Sequence, residues 1–274
     1  MNKKIHISKP NLNHKVINEV QKVLKSGWLT SGPKTYQLEN LVKKKIKCKN
    51  VIAVNSCTSG IFASLIAYGA KKNDEVITPS NTYISTIHTL YNLGLKIKFC
   101  DIEKDTLNVS PTIFEKNISP KSKFFIPVHN NGNPLDMEKI IKISKKNNIK
   151  LIDDAAVAFG AKIKQKNIGS FNNSITVFSL HANKVITSGE GGLICTNNDV
   201  LAKKIRIIVN SGQIKDTWKR SKKINYRIID SVAPGYKFNF NDILASIAIS
   251  QVSKMENILE YRNNLKSEYI KQLS

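Results

Sequence analysis

The segment Phe178-Ser-Leu-His-Ala-Asn-Lys184-Val-Ile-Thr-Ser-Gly-Glu-Gly-Gly192 carries the reading of the whole chain. A short apolar strand, Ser174 to Leu180, runs into a polar turn that holds one lysine. A glycine-rich stretch then leads to a second strand, Gly192 to Thr196. Little room is left for a helix between the two, so one strand here is expected to run antiparallel. A lysine near a strand end, ringed by Ser, His, Asn, Thr and Glu, can point into a cleft rather than into solvent. Lysine is abundant in this chain, so position alone proves nothing. The neighbours of Lys184 must decide.

Upstream, strands and helices alternate. Val51–Asn55, Glu75–Pro79, Lys96–Asp101, Phe124–His129 and Lys150–Asp153 read as strands. Between them lie helical stretches at Ile61–Ala70, Ile84–Leu93 and Asp136–Lys146, the last with apolar Met137, Ile140, Ile141 and Ile143 at helical spacing. This rhythm predicts an α/β fold with a mostly parallel central sheet flanked by helices. Ligands of such a sheet collect at the carboxyl ends of its strands. Two amphipathic helices precede the sheet, one over Asn13–Lys25 and one through Leu38, Leu41 and Val42, separated by a Gly/Pro break at residues 26–33. Helices resume at Val200–Val209 and Asp242–Met255. The polar, basic stretch Gln213–Ser231 reads as a loop, and Ile258, Tyr261, Leu265, Tyr269 and Leu273 continue a helical period to the last residues.

At 274 residues and 41% hydrophobic, the chain can bury a substantial core. It shows no apolar run long enough to span a bilayer and no signal-peptide core at Met1-Asn-Lys-Lys, so a cytoplasmic protein without membrane partners is expected. Cys48, Cys57, Cys100 and Cys195 lack metal-ligand spacing, which predicts reduced thiols and no metal. The net charge of +23 raises the alternative of a basic nucleic-acid-binding protein. Only four of the 43 basic residues are arginine, the preferred phosphate reader, and the lysines are dispersed over helix faces and turns. No nucleic-acid partner is therefore expected.

Three strand ends can be set beside Lys184. Ser56-Cys-Thr-Ser-Gly60 leads from a strand directly into a helix; its free N–H groups and the hydroxyls of Thr58 and Ser59 suit a phosphate, or form an ordinary N-cap. Asp154-Ala-Ala places a carboxylate at a strand end, for a protonated ring nitrogen or for a salt bridge or cap. Ser80-Asn-Thr-Tyr83 offers an aromatic that can stack on a flat ring or fill the core. A lysine, a phosphate cradle, an acid and a stacking ring together are what pyridoxal phosphate requires.

The chain also resembles the DegT/DnrJ/StrS sugar aminotransferases, pyridoxal-phosphate enzymes of fold type I. The resemblance runs nearly end to end, through Ser26-Gly-Trp-Leu-Thr-Ser-Gly-Pro-Lys34, Ala53-Val-Asn-Ser-Cys-Thr-Ser59, Asp74-Glu-Val-Ile-Thr-Pro79 and Ile126-Pro-Val-His129 with Gly132. It continues in Asp153-Asp-Ala-Ala156, Phe178–Lys184, Gly189-Glu-Gly-Gly192 and Gly235-Tyr-Lys-Phe-Asn-Phe-Asn-Asp242. It implies that Lys184 is the catalytic lysine bound to the cofactor, that Asp154 partners the pyridine nitrogen and that Tyr83 stacks on the ring. Thr58, Ser59 and Ser179 would hold the phosphate, with Asn239 reaching the phosphate of a neighbouring subunit. A homodimer with shared active sites follows.

The implied reaction moves an amino group, from glutamate in most relatives, to a keto group of a nucleotide-linked sugar for surface polysaccharide or glycoconjugate synthesis. Relatives that dehydrate sugars carry histidine in place of the lysine, so Lys184 favours the transaminase. His181, Arg220 and Arg227 are candidates for substrate contact, and His181 equally for orienting the lysine turn. Two departures stand out. Val157 occupies a position usually held by Gln or His, and cannot bond the cofactor's ring hydroxyl; Cys57 stands where glycine is common. The resemblance divides the chain into a cofactor-binding large domain with an N-terminal helical segment, residues 1–256, and the start of a linker helix, 257–274. That helix would lead to a C-terminal domain which this sequence does not include, making a catalytically impaired remnant that keeps the fold and dimer the alternative.

Overall fold

The strands that build the centre of the molecule are apolar on both faces, which only a sheet covered by helices on both sides can bury. The structure is a computed structural model and describes residues 9–10, 12–214, 218, 221 and 231–273. Arg220, Arg227 and most of the Gln213–Ser231 segment lie outside these residues. Helices α1 (His14–Ser26) and α2 (Pro33–Ile46) come first. Then β1 (Asn50–Val54), α3 (Cys57–Ala67), β2 (Glu75–Pro79), α4 (Ile84–Asn92), β3 (Lys96–Cys100), α5 (Pro111–Asn117), β4 (Ser122–Phe125), α6 (Met137–Lys146) and β5 (Lys150–Asp154) alternate. A two-stranded hairpin, β6 (Lys162–Ile163) and β7 (Lys166–Asn167), precedes β8 (Ser174–Ser179) and β9 (Gly192–Thr196). Helices α7 (Asp199–Val209), α8 (Asp242–Ser253) and α9 (Met255–Leu273) follow.

The seven main strands are ordered β1-β9-β8-β5-β4-β2-β3. All run parallel except β9, which pairs antiparallel with both β1 and β8. The antiparallel member expected from the short Leu180–Gly192 connection is therefore β9. Side chains alternate between two cores. Val51, Ala53, Leu151 and Phe178 join Leu38 and Val42 of α2, Ile140 of α6 and Ala248 of α8 on one face. Ile52, Val54, Ile152 and Val177 join Ile61 and Leu65 of α3, Leu90 of α4 and Ile205 of α7 on the other. The sheet is a middle layer, and every parallel strand ends at the same edge.

Two short elements were not expected from the sequence. Helix α5 is seven residues long, too short for a period, and is fixed by the Ser110 cap and by Phe114, which stacks on Phe125 at 3.9 Å. The β6–β7 hairpin is shorter still. The expected helix Asp242–Met255 ends at Ser253, and a new one begins at Met255. Asp242 at the start of α8 is buried and accepts from the N–H groups of Gly32, Lys34 and Thr35 and from the Thr35 hydroxyl. Its carboxylate thus caps α2 across about 210 residues of sequence.

Candidate active site

A cavity of about 360 Å³ opens at the carboxyl edge of the sheet. Thr58, Tyr83 and Asp154 line it from three different strand ends, and Ser179, His181 and Lys184 from the end of β8 and the turn that follows it. The fold reaches this convergence by simple means. Parallel strands β1, β2, β5 and β8 all finish here, and the residue following each one arrives at the same edge.

The turn bearing Lys184 is pinned at its base. Ser188 N–H and the Thr187 hydroxyl both donate to Leu180 O, Leu180 N–H donates to Gly191 O, and Lys184 N–H donates to His181 O at 3.0 Å. The glycine segment can return only because Gly192 is bare. A Cβ there would sit 2.6 Å from the Ser56 carbonyl carbon and 2.7 Å from Cys57 N. Strand β9 is thereby pressed against the start of α3. At that start Ser56 is the N-cap and accepts from Ser59 N–H at 3.0 Å, while the Ser59 hydroxyl lies 2.9 Å from Ser56 Oγ. The cap and the anion site coexist. Ser56, Cys57 and Thr58 face the cavity, and Ser59 sits behind them against the cap without lining it. Among the described residues, no protein acceptor takes the Cys57 and Thr58 N–H groups, so the positive end of α3 is open to a ligand.

Adjacent acids on β5 point to opposite faces. Asp154 lines the cavity wall; Thr86 donates to its Oδ2 at 2.7 Å and Ala156 N–H to its Oδ1 at 3.2 Å. Burial raises its carboxyl above the usual range, against the opposing pull of the Thr86 and Ala156 bonds and the Lys184 charge. Asp153 turns into the core on the other side, receives the Thr176 hydroxyl at 2.7 Å and is pushed up to about 7 by burial. The Cys57 thiol is raised well above its ordinary value by burial and by the Asp154 charge, with Lys184 acting in the opposite sense. Lysine, acid and thiol therefore feel one another across a single space.

The remaining candidates are placed as follows. Tyr83, the residue before α4, stands at the cavity mouth and is 75% exposed, so it is not a core tyrosine. Ser179 is buried, and its hydroxyl accepts from His181 N–H at 3.2 Å. The His181 ring lies 2.9 Å from Asn183 Oδ1 and 3.9 Å from Glu190, all three at the rim. Val157 is half-buried and does not line the cavity. Asn239 is not in this cavity: it bridges to Val54 and its Nδ2 donates to Ser31 Oγ, beside a separate small hollow. Sequence reasoning missed Thr86, Asn183 and Glu190. Thr86 had a faint signal, since it follows Tyr83 by one helical turn and is a hydroxyl on an otherwise buried helix face.

Comparison with known proteins gives the chain as a whole its relatives. The sequence profile of the DegT/DnrJ/EryC1/StrS aminotransferase family matches residues 10–274. The uncharacterized protein MJ1066 of Methanocaldococcus jannaschii is 40% identical over 261 residues, 95% of this chain and 67% of the relative. Among solved structures, Spr1654 of Streptococcus pneumoniae, described as a sugar aminotransferase and seen in its PMP form, superposes with a TM-score of 0.89 at 29% identity. That match covers 97% of this chain and 71% of Spr1654. Helicobacter pylori PseC, an aminotransferase involved in the biosynthesis of pseudoaminic acid, superposes with a TM-score of 0.83 at 25% identity, covering 93% and 66% of the two chains.

Proposed function

This chain belongs to the DegT/DnrJ/EryC1/StrS aminotransferase family, and from that premise we propose that it transfers an amino group from glutamate to the keto group of a nucleotide-linked sugar. It is a pyridoxal-phosphate-dependent sugar aminotransferase. The observation that carries the reading is the meeting of Lys184, buried Asp154 and the open start of α3 in one cavity of about 360 Å³.

The residues present fit the cofactor. The free N–H groups of Cys57 and Thr58 with the Thr58 and Ser179 hydroxyls suit a phosphate. Ser59 supports that turn through its contact with Ser56. Asp154, buried and fixed by two hydrogen bonds, suits a protonated ring nitrogen, whose positive charge would offset its burial. Tyr83 at the mouth offers its ring face. When bound, the cofactor supplies an electrophilic carbon for amines and an electron sink for the carbon beside the nitrogen. The chain's own work is then positioning and proton transfer. Lys184 Nζ removes the proton from the donor's α-carbon as a base and returns a proton as an acid; for the sugar it runs the same steps in reverse. His181, Asn183 and Glu190 at the rim supply hydrogen bonds for sugar hydroxyls. Asn239 faces away from its own Lys184 cavity, and we assign it to the cavity of a second copy in a homodimer. The setting is cytoplasmic, and the product serves surface polysaccharide or glycoconjugate synthesis.

Spectroscopy tests this directly. Pyridoxal phosphate added to the purified chain should give a lysine-dependent visible absorption band that Lys184→Ala abolishes, with turnover falling on the order of 10³-fold or more. Glutamate should then discharge the band. A wild-type chain that never develops the band, or a band indifferent to glutamate, would end the proposal.

A further inference from the structure

The sheet also brings together two cysteines that play no part in the Lys184 cavity. Strand β1, which runs into the Ser56–Thr58 turn, lies at the end of the sheet, and its one partner among the described strands is β9. Cys48 enters the core just before β1 and is 8% exposed; Cys195 on β9 is 1% exposed. The two segments are clamped side by side. Val51 stands opposite Cys195 in the β1–β9 ladder, and Lys49 N–H donates to Asn197 Oδ1 at 2.7 Å. Cys48 Sγ lies 3.7 Å from the carbonyl oxygen of Asn50, the residue opposite Thr196. Both cysteines belong to one core cluster with Ile46, Val51 and Ile168. The Cys195 thiol, helped by the Lys43 charge, lowers the Cys48 thiol below its ordinary value despite burial. Cys48 and burial together raise the Cys195 thiol well above its own. One sulfur is thus prepared as a nucleophile while the other keeps its proton. The remaining cysteines stand apart: Cys57 lines the Lys184 cavity, and Cys100 ends β3 at the far side of the sheet.

We propose that this pair is an oxidation site, at which hydrogen peroxide converts Cys48 and Cys195 to a disulfide that staples the α2–β1 connection to β9. The Cys48 thiolate takes one peroxide oxygen and becomes a sulfenic acid. The other oxygen leaves as water, with the proton that the thiol had lost. Cys195 sulfur then attacks Cys48 sulfur, and its proton departs with the sulfenic hydroxyl as a second water. One peroxide is reduced and two thiols are oxidised, giving one S–S bond and two waters. Cys48 leaves a small opening for the oxidant, whereas Cys195 is sealed and suits the resolving role. The bond holds strand β1, whose end carries the open Cys57 and Thr58 N–H groups, to its sheet neighbour.

The cofactor-loaded chain, treated with hydrogen peroxide, provides the test. It should lose two of its four thiols and about 2 Da of mass. A digest should contain the Cys48 and Cys195 peptides joined, and dithiothreitol should part them. In urea that unfolds the chain, this joining should be about tenfold slower or more, because folding no longer holds the two segments together. The oxidised chain should unfold at a urea midpoint about 1 M above that of the reduced chain. Cys195→Ser should stop at the sulfenic acid, which dimedone captures at Cys48. The other readings use the wild-type chain and stand even if that variant fails to fold. Joined peptides that contain Cys57 or Cys100 instead, or a Cys48–Cys48 link between two copies, overturn the proposal. So do Cys48 advancing to sulfinic acid while Cys195 remains a thiol, and equal joining in the folded and unfolded chain. A midpoint that is unchanged or lower overturns the staple.

Discussion

The two edges of the sheet make opposite use of the same construction. The amino edge, where β5 and β8 begin, has a hollow of about 650 Å³, larger than the cavity of about 360 Å³ that holds both Asp154 and Lys184 at the carboxyl edge. Its walls are surface groups such as Lys145, Asn148, Lys150, Asn172 and Asn197, and no carboxylate lines it. Helix α6 reaches that side with its C-terminal turn, presenting carbonyls and lysines. The carboxyl edge receives the start of α3, where the Cys57 and Thr58 N–H groups meet no protein acceptor among the described residues, and sets a buried acid in the same cavity as a lysine. Size therefore does not mark the site. Polarity does: a parallel sheet delivers helix N-termini and strand-end side chains to one edge only, and charge can be concentrated there because the backbone helps to hold it.

The contrast can be broken most sharply at Asp154. Asp154→Asn keeps the shape and one acceptor for Ala156 N–H, reverses the bond with the Thr86 hydroxyl and removes the charge, and kcat/KM should fall about 100-fold, with a weaker visible band. A loss under about threefold would mean that the acid serves only structure. Its neighbour Asp153 separates site chemistry from core chemistry. Its carboxyl sits at about 7 when folded, above its ordinary value of 3.8, so the folded state holds a proton that the unfolded state has released. Stability on its account is full below about pH 4 and is lost as pH rises through 7. Asp153→Asn should gain on wild type across that window, by about 2–4 kcal/mol in urea unfolding of the apo chain; a gap that stays flat with pH would contradict it.

Smaller effects sharpen the boundary of the site. Thr86→Val removes the hydroxyl that holds Asp154 Oδ2, which should raise the Asp154 pKa further, lower turnover about three- to tenfold and shift the pH profile, with Thr86→Ser restoring both. At the other edge, Asn172→Ala should leave turnover within about twofold, since its side chain only receives Asn197 there. An effect of Asn172→Ala as large as that of Thr86→Val would erase the distinction between the edges.

Much of this was legible in the residues. Strands β2 and β5 and helices α3 and α4 follow from apolar periods between turn residues, and Lys184, Thr58, Ser179 and Asp154 sit in motifs at strand ends, where an α/β sheet must gather its ligands. Short elements such as α5 were hidden because seven residues complete barely two turns, and a single buried Phe114 decides them. Thr86 was hidden because nothing local tells a hydroxyl on α4 that a carboxylate from β5 will come within 2.7 Å.

The sequence by itself determined the alternation of strand and helix, the lysine turn and the acid at the end of β5, because these depend on neighbours within a few residues. Only the tertiary structure decided that Thr86 reaches Asp154 and that Asp153 turns into the core to meet Thr176, since both depend on strand register and on packing between layers. It also sent Asn239 away from the Lys184 of its own chain and brought Asp242 back to the start of α2. Those placements join residues far apart in the chain, and packing between layers, not local propensity, brings such residues together.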